Sequence, residues 1–140
     1  MSTLLNLASD TKTPRSVKGT AEGTIGEHSF NFATGTVTYH NGKVQLTLSD
    51  KDDAETWEDI YMEFPDIVQP NAKLPLKGQK LVNIWISFVK SKDSSSLECP
   101  EGDLVIEELV LSPLKVKGTI CATTESTKEK VEIKFDVTTV

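Results

Sequence analysis

An Asn-Gly pair set between two alternating segments constrains the fold of this chain more than any other feature of its sequence. In the stretch GTVTYHNGKVQLTLS, Asn41-Gly42 is the pair preferred in a two-residue type I′ turn, because both central residues of that turn need a positive φ. The turn sets the register, so Tyr39 is expected opposite Val44. One face of the pair is then apolar and the other polar, which predicts a β-hairpin with one buried face.

The same two-residue alternation recurs along the chain. LKVKGTICATT and EKVEIKFDVT flank the polar stretch ESTKE and predict a second hairpin. DLVIEELVLS also alternates, but its apolar phase shifts at Glu107-Glu108, which predicts a β-bulge. No segment has a convincing helical period. The sequence therefore predicts an all-β, antiparallel sandwich or meandering barrel of about eight or nine strands. Residues 1–15 are expected to be a flexible segment, and residues 16–140 a single domain.

Three further segments give expectations about strand positions. LVNIWISFVK is apolar on both faces, which predicts a central or covered strand. PDIVQPNAKLPLKGQ holds three prolines and predicts a long extended loop. The last strand, within EKVEIKFDV, alternates charged and apolar residues, as an edge strand protected from aggregation does. Such an edge would also allow pairing with a second copy in a homodimer.

The charge balance narrows the classes of partner. The 140 residues carry a net charge of −6 at pH 7. An acidic surface repels phosphate backbones and anionic lipids, so neither nucleic acid binding nor membrane insertion is expected. No run approaches the ~18 apolar residues of a membrane-spanning helix. The opening stretch MSTLLNLASDTKTPRS lacks a basic start and does not predict a signal peptide. A soluble protein is expected, and its compartment is left open, a secreted mature form included.

The two cysteines, Cys99 in the expected serine-rich loop SSSLECPEGD and Cys121 in KGTICATT, allow two interpretations. In an oxidising compartment they would form one disulfide, and in a reducing one they would be free thiols. Their spacing does not match a CxxC redox or zinc motif, and only two histidines are present to complete a metal set.

One resemblance concerns the last third of the chain. GDLVIEELVLSPLKVKGTICATTESTKEKVEIKFDV has a Gly-initiated strand, a V-x-G-T strand and a final alternating strand. It resembles the closing strands of small all-β domains of unknown function in bacterial surface lipoproteins. The chain departs from that pattern in lacking a lipobox cysteine near its start. The resemblance supports the all-β fold and implies no chemistry.

The acidic stretch SDKDDAETWED, residues 49–59, is the one candidate metal site. It has six carboxylates. Calcium prefers such oxygen ligands, and the candidates are Asp50, Asp52, Asp53 and Glu55. The stretch is not an EF-hand, because Glu55 occupies the glycine position and Tyr61 the position of the bidentate glutamate. A solvated turn between two strands is the preferred interpretation, with a looser calcium site as the alternative. No other cofactor is expected.

Three aromatic residues are the candidate ligand-binding residues: Trp57, Tyr61 and Trp85. Aromatic platforms near polar groups stack flat ligands such as sugar rings, although Trp85 in so apolar a strand is also a candidate core residue. His28 and His40 have no recognisable catalytic partners, and no catalytic residues are predicted.

The chain is therefore expected to be a non-catalytic binding or protein-interaction module of unspecified role. The alternative is a small-ligand or carbohydrate binder, assisted by calcium if the acidic stretch is a site. The expected partner is a protein or a small ligand.

Overall fold

The protein folds as one curled antiparallel sheet. The computed structural model describes residues 11–51, 56–67, 69–76, 82–90, 93–111, 113–125 and 128–140, and these contain no helix. Eleven strands form a half-barrel. The strands are β1 (Thr11–Ile25), β2 (His28–Asn31), β3 (Thr34–His40), β4 (Lys43–Lys51), β5 (Thr56–Pro65), β6 (Lys73–Pro75), β7 (Asn83–Lys90), β8 (Asp93–Glu98), β9 (Glu101–Leu111), β10 (Leu114–Thr123) and β11 (Lys130–Thr139).

Nine of these strands follow one another around the sheet in chain order. From β1 the sheet runs through β3, β4, β5 and β7 to β8, and on the other side through β11 and β10 to β9. The short strands β2 and β6 add to β1 and β9 respectively. β8 and β9 are consecutive in the chain but stand on the two sides of the opening. The all-β prediction is confirmed, in the form of a meander that joins its ends through β1 and β11 and opens between β8 and β9.

The Asn-Gly hairpin forms as predicted. Asn41 and Gly42 have φ values of 54° and 75°, the positive angles that a type I′ turn requires. Tyr39 pairs with Val44, so the register of β3 and β4 is the predicted one. The second predicted hairpin is also present, because β10 and β11 pair from Thr123–Lys130 onward.

The predicted β-bulge lies in β9. Lys117 pairs with Glu108 while the next residue, Gly118, pairs with Ile106, so Glu107 is the extra residue. The bulge restores the alternation, and it keeps the apolar side chains on both sides of it turned toward the interior. These are the buried Leu104 and Ile106 and the partly buried Leu109 and Leu111.

The prediction that the last strand is an edge is wrong. β11 lies inside the sheet, with β1 on one side and β10 on the other. Its alternating charges face solvent on the outside of the half-barrel, while its apolar residues are buried within. The pattern therefore indicates a strand with one solvent-exposed face. Both an edge strand and a central strand in the wall of a single-layered barrel have such a face.

Three strand boundaries differ from the sequence-based expectations. β1 begins at Thr11, inside the segment expected to be flexible, because it pairs with β3 there. The proline-bearing loop contains the three-residue β6. β8 lies in the serine-rich stretch assigned to a loop, and its pairing with β7 outweighs the weak strand propensity of serine. β7 has partners on both sides, as its apolar sequence predicts.

The interior of the half-barrel is filled by side chains. Phe135 of β11 shows how closely they pack, since its ladder partners are Ala21 on β1 and Gly118 on β10. A Cβ atom added to Gly118 would lie 2.9 Å from Cζ of Phe135 and 2.4 Å from the carbonyl oxygen of Val105. The ring of Phe135 thus occupies space that only small neighbours leave free.

Candidate binding face

The sheet register brings the three predicted ligand-binding residues to one face. Tyr61 of β5 lies between the fully buried Ile60 and Met62, so it faces outward. Trp85 of β7 is its direct ladder partner. Trp57 is four residues earlier on β5, about 13 Å away along the strand, and on the same side by alternation of the backbone. We call the outer face of β4, β5 and β7 around positions 57, 61 and 85 the aromatic face.

Tyr61 is held in place on this face by its neighbours. Its hydroxyl donates to Oε2 of Glu63 at 3.5 Å, and Oε1 of Glu63 lies 3.4 Å from Nζ of Lys43. Burial raises the pKa of the Tyr61 phenol, and the charge and hydrogen bond of Glu63 add to the shift. The phenol is therefore protonated at neutral pH and presents a half-exposed ring with a fixed donor.

Polar groups surround the aromatic positions on both sides. Asp59, half-buried, lies between positions 57 and 61 and pairs with Ser49 and Ser87. On the other side of Tyr61, Oγ1 of Thr38 donates to Oε1 of Gln45 at 2.9 Å, next to Glu63. This combination of an aromatic surface and hydrogen-bonding groups is the chemistry that stacks and orients a polyhydroxylated ring.

The acidic stretch is described only at its two ends. Asp50 is 5% exposed and follows Leu48 in the inward-facing row of β4. Asp52, Asp53 and Glu55 lie outside the described residues, so the calcium site stays a prediction. Among the residues that the structure does describe, no three His, Cys, Asp or Glu side chains are grouped as a metal site requires.

The two histidines lie near opposite ends of β1. His28 pairs with Ile25, the last residue of β1. His40 pairs with Lys43 next to the Asn-Gly turn, and its neighbour Tyr39 pairs with Thr11, the first residue of β1. The fold therefore does not bring the two imidazoles into one site.

Both cysteines are free thiols, which answers the question that the sequence left open. Cys99 is 4% exposed in the core, whereas Cys121 is exposed on the outer face between the buried Ile120 and Ala122. The wall of the sheet separates them, so they cannot form a disulfide without rearranging the backbone. Burial raises the pKa of the Cys99 thiol to about 12.

This difference predicts the outcome of thiol labelling. Under native conditions at pH 8 an aromatic disulfide reagent should react rapidly with one thiol per chain, because only Cys121 is accessible and the buried Cys99 stays protonated. In denaturant it should react with two. The Cys121→Ser variant should lose the fast phase and Cys99→Ala should keep it. Two fast thiols in the native protein would contradict this placement.

An open groove on another part of the surface has no counterpart in the sequence analysis. Its volume is about 640 Å³, and it runs along the outer face of β2, β1, β11 and β10. Its side-chain lining is mainly polar and comes from Glu22, Thr24, Ser29, Asn31, Thr119, Cys121, Glu132 and Lys134. The one aromatic residue in the lining, Phe30, is only 1% exposed. No local sequence motif predicts the groove, because the pair β1 and β2 and the pair β10 and β11 are far apart in sequence.

Comparisons with protein families, curated protein sequences and solved structures gave no match. The resemblance of the last third to domains of bacterial surface lipoproteins accordingly stays a prediction. Within the described part of the chain, no helix is long and apolar enough to cross a membrane.

Proposed function

We propose that the protein is a non-catalytic binding module whose binding surface is the aromatic face. The observation that carries the proposal is the pairing of Tyr61 with Trp85 in the β5–β7 ladder, with Trp57 on the same side of β5. A sequence-distant pair of aromatic residues on an outer sheet surface gives a ligand a flat apolar platform, which a folded chain otherwise tends to bury.

The ligand class that this chemistry favours is a carbohydrate. A sugar ring presents an apolar face of C–H groups and an edge of hydroxyl groups. The aromatic positions can stack on the C–H face. The carboxylates of Asp59 and Glu63 and the hydroxyl of Tyr61 can form hydrogen bonds with the sugar hydroxyl groups. The rigid sheet holds these groups without a loop rearrangement, which lowers the entropic cost of binding.

The non-catalytic part of the proposal is supported by the separation of His28 from His40 along β1. A general acid and base must both reach one reacting centre, within about 3 Å of the atoms they serve. Asp59 and Glu63, the described carboxylates of the aromatic face, serve as hydrogen-bond acceptors in the proposed site.

Titration of tryptophan emission with a panel of mono- and oligosaccharides tests this function. Both tryptophans of the chain occupy β5 and β7, so a bound sugar should change their emission with a saturable dependence on concentration. For the sugar that binds, Tyr61→Ala should weaken the affinity about tenfold, the effect of losing roughly 1.4 kcal/mol of stacking.

Two further variants sharpen the test. Tyr61→Phe keeps the ring and should retain most of the affinity, and Tyr39→Phe changes a tyrosine remote from the aromatic face and should bind as the unmodified protein does. A flat emission response across the panel would refute the carbohydrate assignment. An unchanged affinity in Tyr61→Ala would refute the aromatic face as the site.

A protein-interaction role is the second candidate, and a different observation favours it. The sheet is open between β8 and β9, and part of the β9 edge has no strand beside it within the described chain.

A further inference from the structure

One edge of β9 is only partly covered. Along one edge, β9 pairs with β10 over its whole length. Along the other edge, β6 pairs with Asp103 to Val105, and the amide of Asn71 donates to the carbonyl oxygen of Ile106 at 2.8 Å. Beyond Ile106, at residues 107–111, no described residue pairs with this edge. Within the described part of the chain, the backbone groups on this stretch of the edge are left for another strand.

The covered and uncovered parts of this edge differ in composition. β6 carries Lys73 and Pro75, residues that discourage a further strand from adding. The uncovered part ends in three consecutive apolar residues, Leu109, Val110 and Leu111. Val110 is 39% exposed and is one of the three large apolar side chains most exposed among the described residues. Unlike the flanking Glu107, Glu108 and Pro113, these three residues include neither a charge nor a proline, and an unprotected apolar stretch of an edge marks an interaction site or an aggregation hazard.

The apolar triplet is complementary to itself. If two copies pair antiparallel with Val110 opposite Val110, then Leu109 of each copy lies opposite Leu111 of the other. Leu109 and Leu111 face the core side of the sheet and Val110 the outer side, so each residue meets a partner on the matching face. A shift by one residue would set an inward leucine against an outward side chain.

We propose that the edge of β9 at residues 109–111 binds a second copy of this chain by symmetric antiparallel strand pairing. The contact is isologous, with a twofold axis at Val110. It extends the sheet of one half-barrel into that of the other and covers the partly exposed Leu109 and Leu111 of both.

The charged residues next to the triplet do not repel each other in this pairing. Glu108 already forms a salt bridge with Lys115 of β10, with 2.9 Å between Oε1 and Nζ. In the symmetric pairing the two copies of Glu108 lie at opposite ends of the new ladder and do not face each other. Like charges directly opposite would be unfavourable, and this register avoids them.

The short length of the ladder predicts a weak dimer. A few paired residues bury much less than the roughly 1,200–2,000 Å² of a stable interface. Association should therefore appear only at high concentration, with a dissociation constant on the order of 0.1–1 mM.

Sedimentation equilibrium of the full chain over about 0.02–2 mM tests the proposal. The average mass should rise with concentration from 15.4 kDa toward twice that value. Val110→Lys places two like charges at the twofold axis and should keep the mass at the monomer value over the range. Thr20→Lys is the matched control, because it adds the same charge to an exposed position of the central strand β1, where Asp136 is its ladder partner.

Thermal melts of both variants within a few degrees of the unmodified protein confirm that they fold. Hydrogen exchange gives a second readout, since amides within residues 109–111 should exchange several-fold more slowly at 1 mM than at 0.02 mM. A monomer throughout the range would overturn the proposal. So would a dimer that persists in Val110→Lys, because its contact would lie elsewhere. Neither result bears on sugar binding at the aromatic face.

Discussion

Replacing Gly118 with valine should lower the free energy of unfolding by about 3 kcal/mol, at the upper end of the usual cost of overpacking. The new Cβ would lie 2.4 Å from the carbonyl oxygen of Val105, a backbone atom that cannot rotate away, and 2.9 Å from the ring of Phe135. Both contacts are in the interior of a strand paired on two sides. Thermal melting should shift downward by about 6–12 °C.

The neighbouring residue supplies the control for this substitution. Thr119→Val introduces the same side chain one position along β10, on the half-exposed outer face, and should change stability by less than about 0.5 kcal/mol. In a double-mutant cycle, Gly118→Val combined with Phe135→Leu should lower the free energy of unfolding by less than the sum of the two single changes. The smaller leucine side chain leaves room for the new valine. A Gly118→Val protein whose free energy of unfolding is within 1 kcal/mol of the original value would show that β10 can move to accommodate the added side chain.

The second large effect is a loss of stability at alkaline pH, caused by the Cys99 thiol. Burial raises its folded-state pKa from the ordinary 9.0 to about 12, so the unfolded chain releases the proton first as the pH rises. The contribution of this thiol to the free energy of unfolding is complete below about pH 9 and is lost progressively between pH 9 and 12. At pH 10 the loss is about 1.4 kcal/mol.

Urea denaturation at pH 7, 8.5 and 10, in the presence of a thiol reductant, measures this loss. Cys99→Ala should be somewhat less stable than the original protein at pH 7, because it leaves a small cavity, but its stability should fall less between pH 8.5 and 10. The pKa values of Tyr61, Lys115 and Lys130 are also raised, and these groups are common to both proteins. Equal slopes for the two proteins would mean that Cys99 is not the cause.

Local patterns in the sequence predict most of this fold. The Asn41-Gly42 turn and the phase slip at Glu107 are decided by residues next to one another, and both occur as expected. The position of β11 is not decided locally. Its outward charges are compatible with an edge and with the wall of a barrel, and only the long-range pairing with β1 selects the second. β8 escaped prediction because its serines favour loops and its partner β7 supplies the ordering.

The aromatic face, too, could be predicted from the sequence only in part. Tyr61 and Trp85 are recognisable as aromatic residues on predicted strands, but their direct pairing depends on the β5–β7 register across a long loop. The uncovered β9 edge likewise cannot be predicted from the sequence, since it depends on where the three-residue β6 begins. Residue types predict the chemistry of these surfaces, and the register of distant strands decides which residues share one.

The β1–β11 ladder also governs how such a chain reaches its folded state. It joins residues such as Val17 and Thr139, from opposite ends of the described chain, whereas the β3–β4–β5 and β9–β10–β11 ladders join near neighbours. Local hairpins cost little loop entropy and form early, while the closing ladder must bring together the most distant segments. We therefore expect the pairing of β1 with β11, which joins the two half-sheets, to limit the rate of folding. Until it happens, the apolar interiors of both halves are exposed to water and to other chains.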